Sequence, residues 1–390
     1  MPSEQFLHGV DLVQIDDGIR TIQTVSASVI GIVGTAPNAD ANLFPLNTPV
    51  LLLGDLAKAA KLGLTGTLPQ ALDAIFDQIG AAVVVVRVNA ATTAAETKSN
   101  IIGKVDAATG QYQGIQALIA ASSIVKVTPR ILIAPGFSDD KAVGDALIQV
   151  ANRVRGMAIL DAPNTNDAAA IAYRQQFGGK RAVVYTPAVK VWDTVSSSEV
   201  VQPVSARAAG LWAWSDNERG FWWSPSNIEI LGITGLARPI DFIQGDVNSV
   251  ANYLNAANVN TVIQDNGFKL WGNHTCASDE MWRLISWVRT VDIINDSVQK
   301  AHMWAVDRNI TKNYVDDVTG SVNAYLRHLS NPDIGALMGG RCWADPKLNT
   351  ADQIAARKVY FDFDLCPPGV AEHVIFRSHL NQGYLTEAFA

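Results

Sequence analysis

No histidine and no cysteine occurs between Gly9 and Asn273, the greater part of a 390-residue chain. A Ser-His-Asp or Cys-His catalytic centre contained in that stretch is therefore excluded, because each needs an imidazole base beside its nucleophile. The three cysteines, Cys276, Cys342 and Cys366, are far apart and show no CxxC spacing. That argues against a zinc site or a disulfide framework and fits synthesis in a reducing cytoplasm. The six histidines, His8, His274, His302, His328, His373 and His379, include no pair at metal-ligand spacing. The phosphate-cradling GxxxxGK[ST], the dinucleotide fingerprint GxGxxG and the GxSxG elbow are all missing. Gly31 and Gly34 form the nearest glycine cluster, at the wrong spacing. No cofactor and no metal is expected.

Charge is also scarce. Charged residues make up 17% of the chain and apolar residues 48%, where roughly 25% charged is usual. So sparse a surface fits a chain that hides much of itself in partners, as obligate assemblies do. The net charge of −7 and the scatter of basic residues argue against a nucleic-acid partner. The stretch Met1–Gly18 has no basic n-region, so no signal peptide is expected there. No apolar run approaches the ~20 residues of a membrane helix, so direct membrane insertion is not expected.

What is present is an alternation. The length predicts two or three domains. Two extended segments, Phe6–Ile15 and Arg20–Val33, flank the turn signal Asp16-Asp17-Gly18. Short apolar runs follow at Val50–Leu53, Ala82–Val88, Arg130–Ala134, Met157–Leu160 and Arg181–Tyr185, each reading as a central strand without a polar face. Helical patterns separate them at Leu68–Ile79, Asp139–Arg155 and Asp167–Phe177, with Asn164, Thr165 and Asn166 available to cap the last. Strand–helix alternation of this kind predicts a parallel α/β sheet. Asp139 and Asp140 stand where such sheets often bind ligands, but acidic residues at a helix N-terminus are the simpler reading. Trp212, Trp214, Trp222 and Trp223 cluster around Gly220, as a packed loop or subunit contact would.

Past Gly245 the texture changes to α+β. Asp265-Asn266-Gly267 between the apolar runs Val259–Ile263 and Phe268–Trp271 predicts a hairpin. A long helix is expected over Ser278–Gln299 and a short one over Gly320–Leu329. Val359, Phe361, Phe363 and Leu365 alternate with Tyr360, Asp362 and Asp364, the pattern of a half-buried strand. Pro367 and Pro368 break it. A last extended run, His373–Leu380, puts Val374, Phe376 and Leu380 on one face. Strand-like segments at both ends are a liability unless another chain pairs with them.

Six segments carry a resemblance: Phe6–Val10, Ser28–Pro37, Ala158–Asn164, Ser224–Gly235, Gly267–Thr275 and Trp304–Lys312. Together they make the chain similar to contractile phage tail sheath proteins, in the short form of P2-like myophages and R-type pyocins. The Leu-Trp-Gly-Asn-His-Thr stretch at 270–275 and the 224–235 segment are the most specific. The resemblance implies a subtilisin-like, non-proteolytic middle domain and an inner domain facing the tail tube. It also implies terminal arms that complete the sheets of neighbours. The expected division is an N-terminal arm over 1–24, the α/β domain over 25–255, an α+β inner domain over 256–365 and a C-terminal arm over 366–390. Phe6, Val10, Leu12, Val374, Phe376 and Leu380 are then arm contacts, and Val359, Phe361 and Phe363 an inner-domain strand. Implied partners are further copies in hexameric rings stacked helically, the tail tube protein, and baseplate and tail terminator proteins. The implied setting is a virion tail or tailocin particle assembled in the bacterial host cytoplasm. The segment Asn349–Lys358, capped by Thr350 and closed by Arg357 and Lys358, is the candidate tube contact. A non-contractile structural polymer subunit and an α/β-fold enzyme are the rival readings.

Overall fold

The computed structural model describes residues 21–382 and 384–385. Its centre is a six-stranded sheet of β1 (Ile30–Thr35), β2 (Val50–Leu53), β3 (Ala82–Val88), β4 (Ile131–Ile133), β5 (Met157–Asp161) and β6 (Ala182–Tyr185), in the order β2-β3-β1-β4-β5-β6. All neighbours pair in parallel except β2, which runs antiparallel to β3 at the sheet edge. Val50–Leu53 is thus an edge strand and not the central one expected, and Leu53 at its end is exposed. The central strands are buried along their whole length because both faces of the sheet are covered. Alternate residues enter two separate cores. Ile32, Val85, Ile133, Ile159 and Val183 face one way, and Val33, Val84, Leu132, Leu160 and Val184 the other.

The first face is closed by α2 (Thr67–Phe76), which follows the single turn α1 (Leu56–Ala59), and by α7 (Ser205–Glu218). On the second face lie α3 (Ala94–Ile102), the short α4 (Ala121–Ile124), α5 (Lys141–Val154) and α6 (Asp167–Arg174). The caps follow the sequence. Asp140 accepts from the Ala142 amide at the start of α5, and Asn166 from that of Ala169 at the start of α6. Asp140 also meets Lys98 at 2.6 Å, which with the cap holds its carboxyl below the usual range.

After β6 the chain makes the hairpin β7 (Val189–Asp193) and β8 (Ser198–Gln202), which β10 (Gly235–Leu236) extends on the β7 side. Then β9 (Ile228–Glu229) pairs with the expected second hairpin, β11 (Thr261–Gln264) and β12 (Phe268–Trp271), beyond α8 (Val250–Ala256). Asn266 and Gly267 both take positive φ at its tip, as this tight turn requires. Asn260 bridges to Tyr185 in parallel, carrying the large sheet one step further. Val259, Val262, Ile263 and Leu270 are buried in the two cores flanking that sheet.

A smaller unit follows. It contains α9 (Ile285–Ala301), α10 (Lys312–Leu329), the strands β13 (Gly339–Trp343) and β14 (Asp362–Cys366), and the single turn α11 (Ala351–Ala355). Its core joins Ile294, Val322, Leu326, Leu329, Leu337 and Cys342 to Phe361, Phe363 and Leu365. The long helix starts at Ile285 and not at Ser278. Asp279 caps a separate 3-10 turn over Glu280–Trp282, and Leu284 is extended, bridging to His274. In turn α10 starts eight residues before the expected Gly320, capped by Thr311. Ile22 enters the same small core, and the Val25 amide donates to Ser297 Oγ at 3.0 Å.

Candidate assembly surfaces

The C-terminal end of β5 is closed by polar side chains. Asp161, at the C-terminal end of β5, accepts from Ser205 N at 2.9 Å, Ser205 Oγ at 2.5 Å and Ser138 Oγ at 3.0 Å. Burial pushes its carboxyl up, while these hydrogen bonds oppose the shift. The cluster ties the starts of α7 and of the loop before α5 to the sheet. It is closed over by Tyr173, whose hydroxyl donates to the Ser138 carbonyl. Nothing in the sequence pattern singled out these three residues, since no motif links 138, 161 and 205. Among the described residues no group of three His, Cys, Asp or Glu is placed to hold a metal. No helix among the described residues is long and apolar enough to cross a membrane.

The two units are joined through α9. Arg130 and Arg181 stand immediately before β4 and β6, and Arg155 two residues before β5. Arg130 and Arg155 both pair with Asp296, Arg155 also reaches Gln299 at 2.6 Å, and Arg181 meets Asp292 at 2.5 Å. Asp292 and Asp296 lie four residues apart, on one face of the helix. Burial raises the Asp292 carboxyl to about 6, against the pull of Arg181 and Lys180. One turn earlier on α9, Arg289 pairs with Asp216 on α7 and donates to the Ala27 carbonyl at 3.2 Å.

The surfaces free to meet other chains are at the C-terminal end. β13 and β14 form a two-stranded ladder with Cys342 opposite Phe363, and the described residues add no third strand. Asn323 of α10 grips the Cys342 amide and carbonyl, at 2.7 and 2.9 Å. The outer edge of β13 is thereby partly occupied, whereas β14 has no strand on its other side among the described residues. Phe361 and Phe363 pack half-buried on the small core, but only Phe363 lies in β14, and Val359 and Phe361 precede it. Among the described residues beyond Pro368 no strand forms. Val374 and Ile375 are exposed, and Phe376 and Leu380 are 91% and 94% exposed. Phe6, Val10 and Leu12, with the expected segment Phe6–Ile15, lie outside the described residues.

The expected tube-contact helix is shorter than its pattern. Thr350 caps α11 by accepting from Gln353 N, but Arg357 takes φ 63° and ends it. The Arg357 amide returns to the Ile354 carbonyl and that of Lys358 to Gln353, a Schellman closure. Both cations therefore sit exposed past the helix end and do not form its last turn.

The described residues thus leave one edge of β14 unpaired and the apolar side chains at 374–376 and 380 exposed. Three family models match the chain in sequence. A tail sheath protein Gp18 domain III N-terminal region covers residues 28–88, a phage tail sheath protein central domain covers 110–276, and a phage tail sheath C-terminal domain covers 277–381. The chain is 44% identical over 383 residues to a prophage major tail sheath protein of Pseudomonas aeruginosa, covering 98% of each. It is 37% identical to the tail sheath protein of Escherichia phage P2, covering 97% of this chain and 96% of that one. In fold it is similar to the sheath of an extracellular contractile injection system in the contracted state. There the TM-score is 0.71 at 19% identity, covering 97% of this chain and 99% of that chain. The helical sheath of the anti-feeding prophage gives a TM-score of 0.69 at 21% identity, covering 96% and 100%. The protein belongs to the phage tail sheath family.

Proposed function

We propose that this chain is the sheath subunit of a contractile tail, polymerising around a tail tube and contracting to drive it through the target cell envelope. The observation that carries the reading is the C-terminal segment beyond Pro368, which holds Phe376 and Leu380 out into water. A monomer gains nothing from such a segment, whereas a strand donated to the open edge of β14 in a neighbour would bury it. Phe6, Val10 and Leu12 serve the same purpose at the other end, with Val374, Phe376 and Leu380 in the C-terminal arm.

In this reading the protein works as a structural part and not as an enzyme. Its energy is stored at assembly as the difference between two packings of the same subunits. The parallel sheet covered on both faces supports a subtilisin-like middle domain, with the smaller α+β unit turned toward the tube. Arms over 1–24 and 366–390 flank them. Because Val259–Leu270 packs with the large sheet, the middle domain runs past residue 255 to about the start of α9. Arg357 and Lys358 face acidic groups on the tube as exposed pairs, each worth ~0–1 kcal/mol, weak enough to let go on contraction. Hexameric rings stack helically, and baseplate and tail terminator proteins close the two ends. Neither nucleic acid nor direct membrane insertion is involved. Assembly takes place in the bacterial host cytoplasm, and the product is a virion tail or tailocin.

Negative-stain microscopy of the purified protein tests this, alone and with its tube protein. Tubes or ring stacks are expected, lost in Phe376→Ser/Leu380→Ser while circular dichroism is unchanged. A monodisperse small oligomer from the native chain refutes the polymer reading. Arg357→Glu/Lys358→Glu is expected to abolish sheath-on-tube particles while leaving sheath-only polymers.

A further inference from the structure

The stretch Trp271–Thr275, among the most specific parts of the sequence, has a distinct task in the structure. Gly272 takes φ +125°, and a Cβ there would stand 2.4 Å from the Oδ1 atoms of both Asn255 and Asn260. Asn273 caps α9, its carbonyl accepting from Ile285 N at 2.9 Å and its Oδ1 from Ser286 N at 3.3 Å. The main chain of His274 exchanges two hydrogen bonds with the Asn260 side chain, at 2.9 and 2.8 Å. This short turn therefore joins the extended edge of the large sheet to the start of α9.

The imidazole of His274 points a third way. Its Nδ1 lies 3.1 Å from the Asn255 carbonyl oxygen, and its Nε2 lies 3.1 and 3.3 Å from the two carboxylate oxygens of Glu372. Arg283 Nη2 stands 3.3 Å from the same Nε2. The hydrogen bond from His274 holds the Glu372 carboxyl below its usual range against partial burial, helped by the positive charge of His274 and Arg283. Four residues earlier, Trp287 Nε1 on α9 donates to the Pro368 carbonyl at 2.8 Å. Pro368 to Glu372 is thus pinned at both ends, roofing a groove of about 910 Å³ over Trp222, Trp223 and Asn252. From Val374 onward the large side chains are exposed.

We infer that His274, Arg283 and Glu372 form the anchor of the C-terminal arm, a positioning site that fixes where and in which direction the arm leaves the subunit. This rests on the reading of that arm as an intersubunit element. An arm let go at Pro368 instead of Glu372 would gain four freely turning residues, and its apolar face would reach the neighbour's strand edge out of register. The anchor lies outside the buried cores, so its loss is local and leaves them intact.

The test is hydrogen exchange on the full-length monomer, followed by assembly. Glu372→Ala is expected to speed exchange of the amides at 369–373 at least about tenfold, as loss of a hydrogen bond to a charged group should. Peptides covering β4 to β6 are expected to keep their protection. Polymer yield should fall by a similar factor, with Glu372→Gln, which keeps an acceptor for Nε2, restoring part of it. His274→Gln is the second variant, and Glu372→Ala alone decides if that one misfolds. Unchanged exchange in Glu372→Ala overturns the anchor. Faster exchange with full polymer yield overturns its role in directing the arm. If even the native chain forms no polymer, the sheath reading fails, while the exchange result still decides the anchor.

Discussion

Arg289 on α9 and Asp216 on α7 form an ion pair closed off from solvent, each side chain 4% exposed. Two bonds join them, one of 2.7 Å between Nη1 and Oδ1. Trp212 lies beneath, its ring centre 5.3 Å from the guanidinium carbon. Removing one partner leaves a buried charge without compensation. Asp216→Asn or Arg289→Met alone is therefore expected to cost about 3–5 kcal/mol, and the double replacement much less. Denaturant unfolding of the three variants decides. Additive losses would mean the two charges do not depend on each other.

Asp292 gives the fold a pH dependence of known sign. Its carboxyl titrates near 6 in the folded chain and near 3.8 when free. Between those values the folded state holds a proton that the unfolded chain has released. Stability from this group therefore falls as pH rises through that window and is flat above it. Asp292→Asn should remove this part of the slope. Urea midpoints at pH 4, 5, 6 and 7 show it as a shrinking gap between native and variant below pH 6. Parallel curves would refute the assignment.

On β14 the two faces should differ. Phe363 is half-buried against the small core, so Phe363→Ala is expected to lose roughly half of the ~3–5 kcal/mol typical of a fully buried ring. Asp364 is exposed, accepting from Arg341 N at 2.8 Å with the guanidinium 3.9 Å away. Asp364→Ala should cost under about 1 kcal/mol. Thermal melts of the monomer that reversed this order would shift the register by one residue.

Gly272→Ala should be among the costlier single-methyl changes in the molecule. The added carbon meets two carboxamide oxygens, at a φ that side chains rarely adopt. A loss of about 2–4 kcal/mol is expected. Gly320→Ala, where nothing lies within 4 Å of the new carbon, is the control and should be neutral or stabilising. Equal melting temperatures for the two would refute the packing argument.

Most of the large sheet is legible in the sequence because β3, β4, β5 and β6 are unbroken apolar runs, and only strands covered on both faces can be so. Val50–Leu53 looks the same on paper, and its position at the edge comes from pairing that a four-residue run does not encode. The helix α7 went unread because ten of its residues are buried all round, which leaves no polar face to set a period. The start of α10, Lys312–Asp317, is mostly polar and exposed apart from the half-buried Tyr314 and Val315, and its first turn is capped by Thr311. His274 and Glu372 are 98 residues apart, and no local pattern can announce such a meeting. The run His373–Leu380 has a strand pattern in the sequence but takes no strand conformation in the structure.

The ion pairs at the base of the sheet also bear on how the subunit carries load. Arg130, Arg155 and Arg181 tie the starts of three neighbouring parallel strands to one rigid helix through Asp292 and Asp296. A pull or twist applied to α9 is divided among three strands at once and does not peel the outermost from its neighbour. The helix works as a crossbar and the sheet as a plate bolted to it at several points. Torque delivered to the smaller unit then turns the larger one with it.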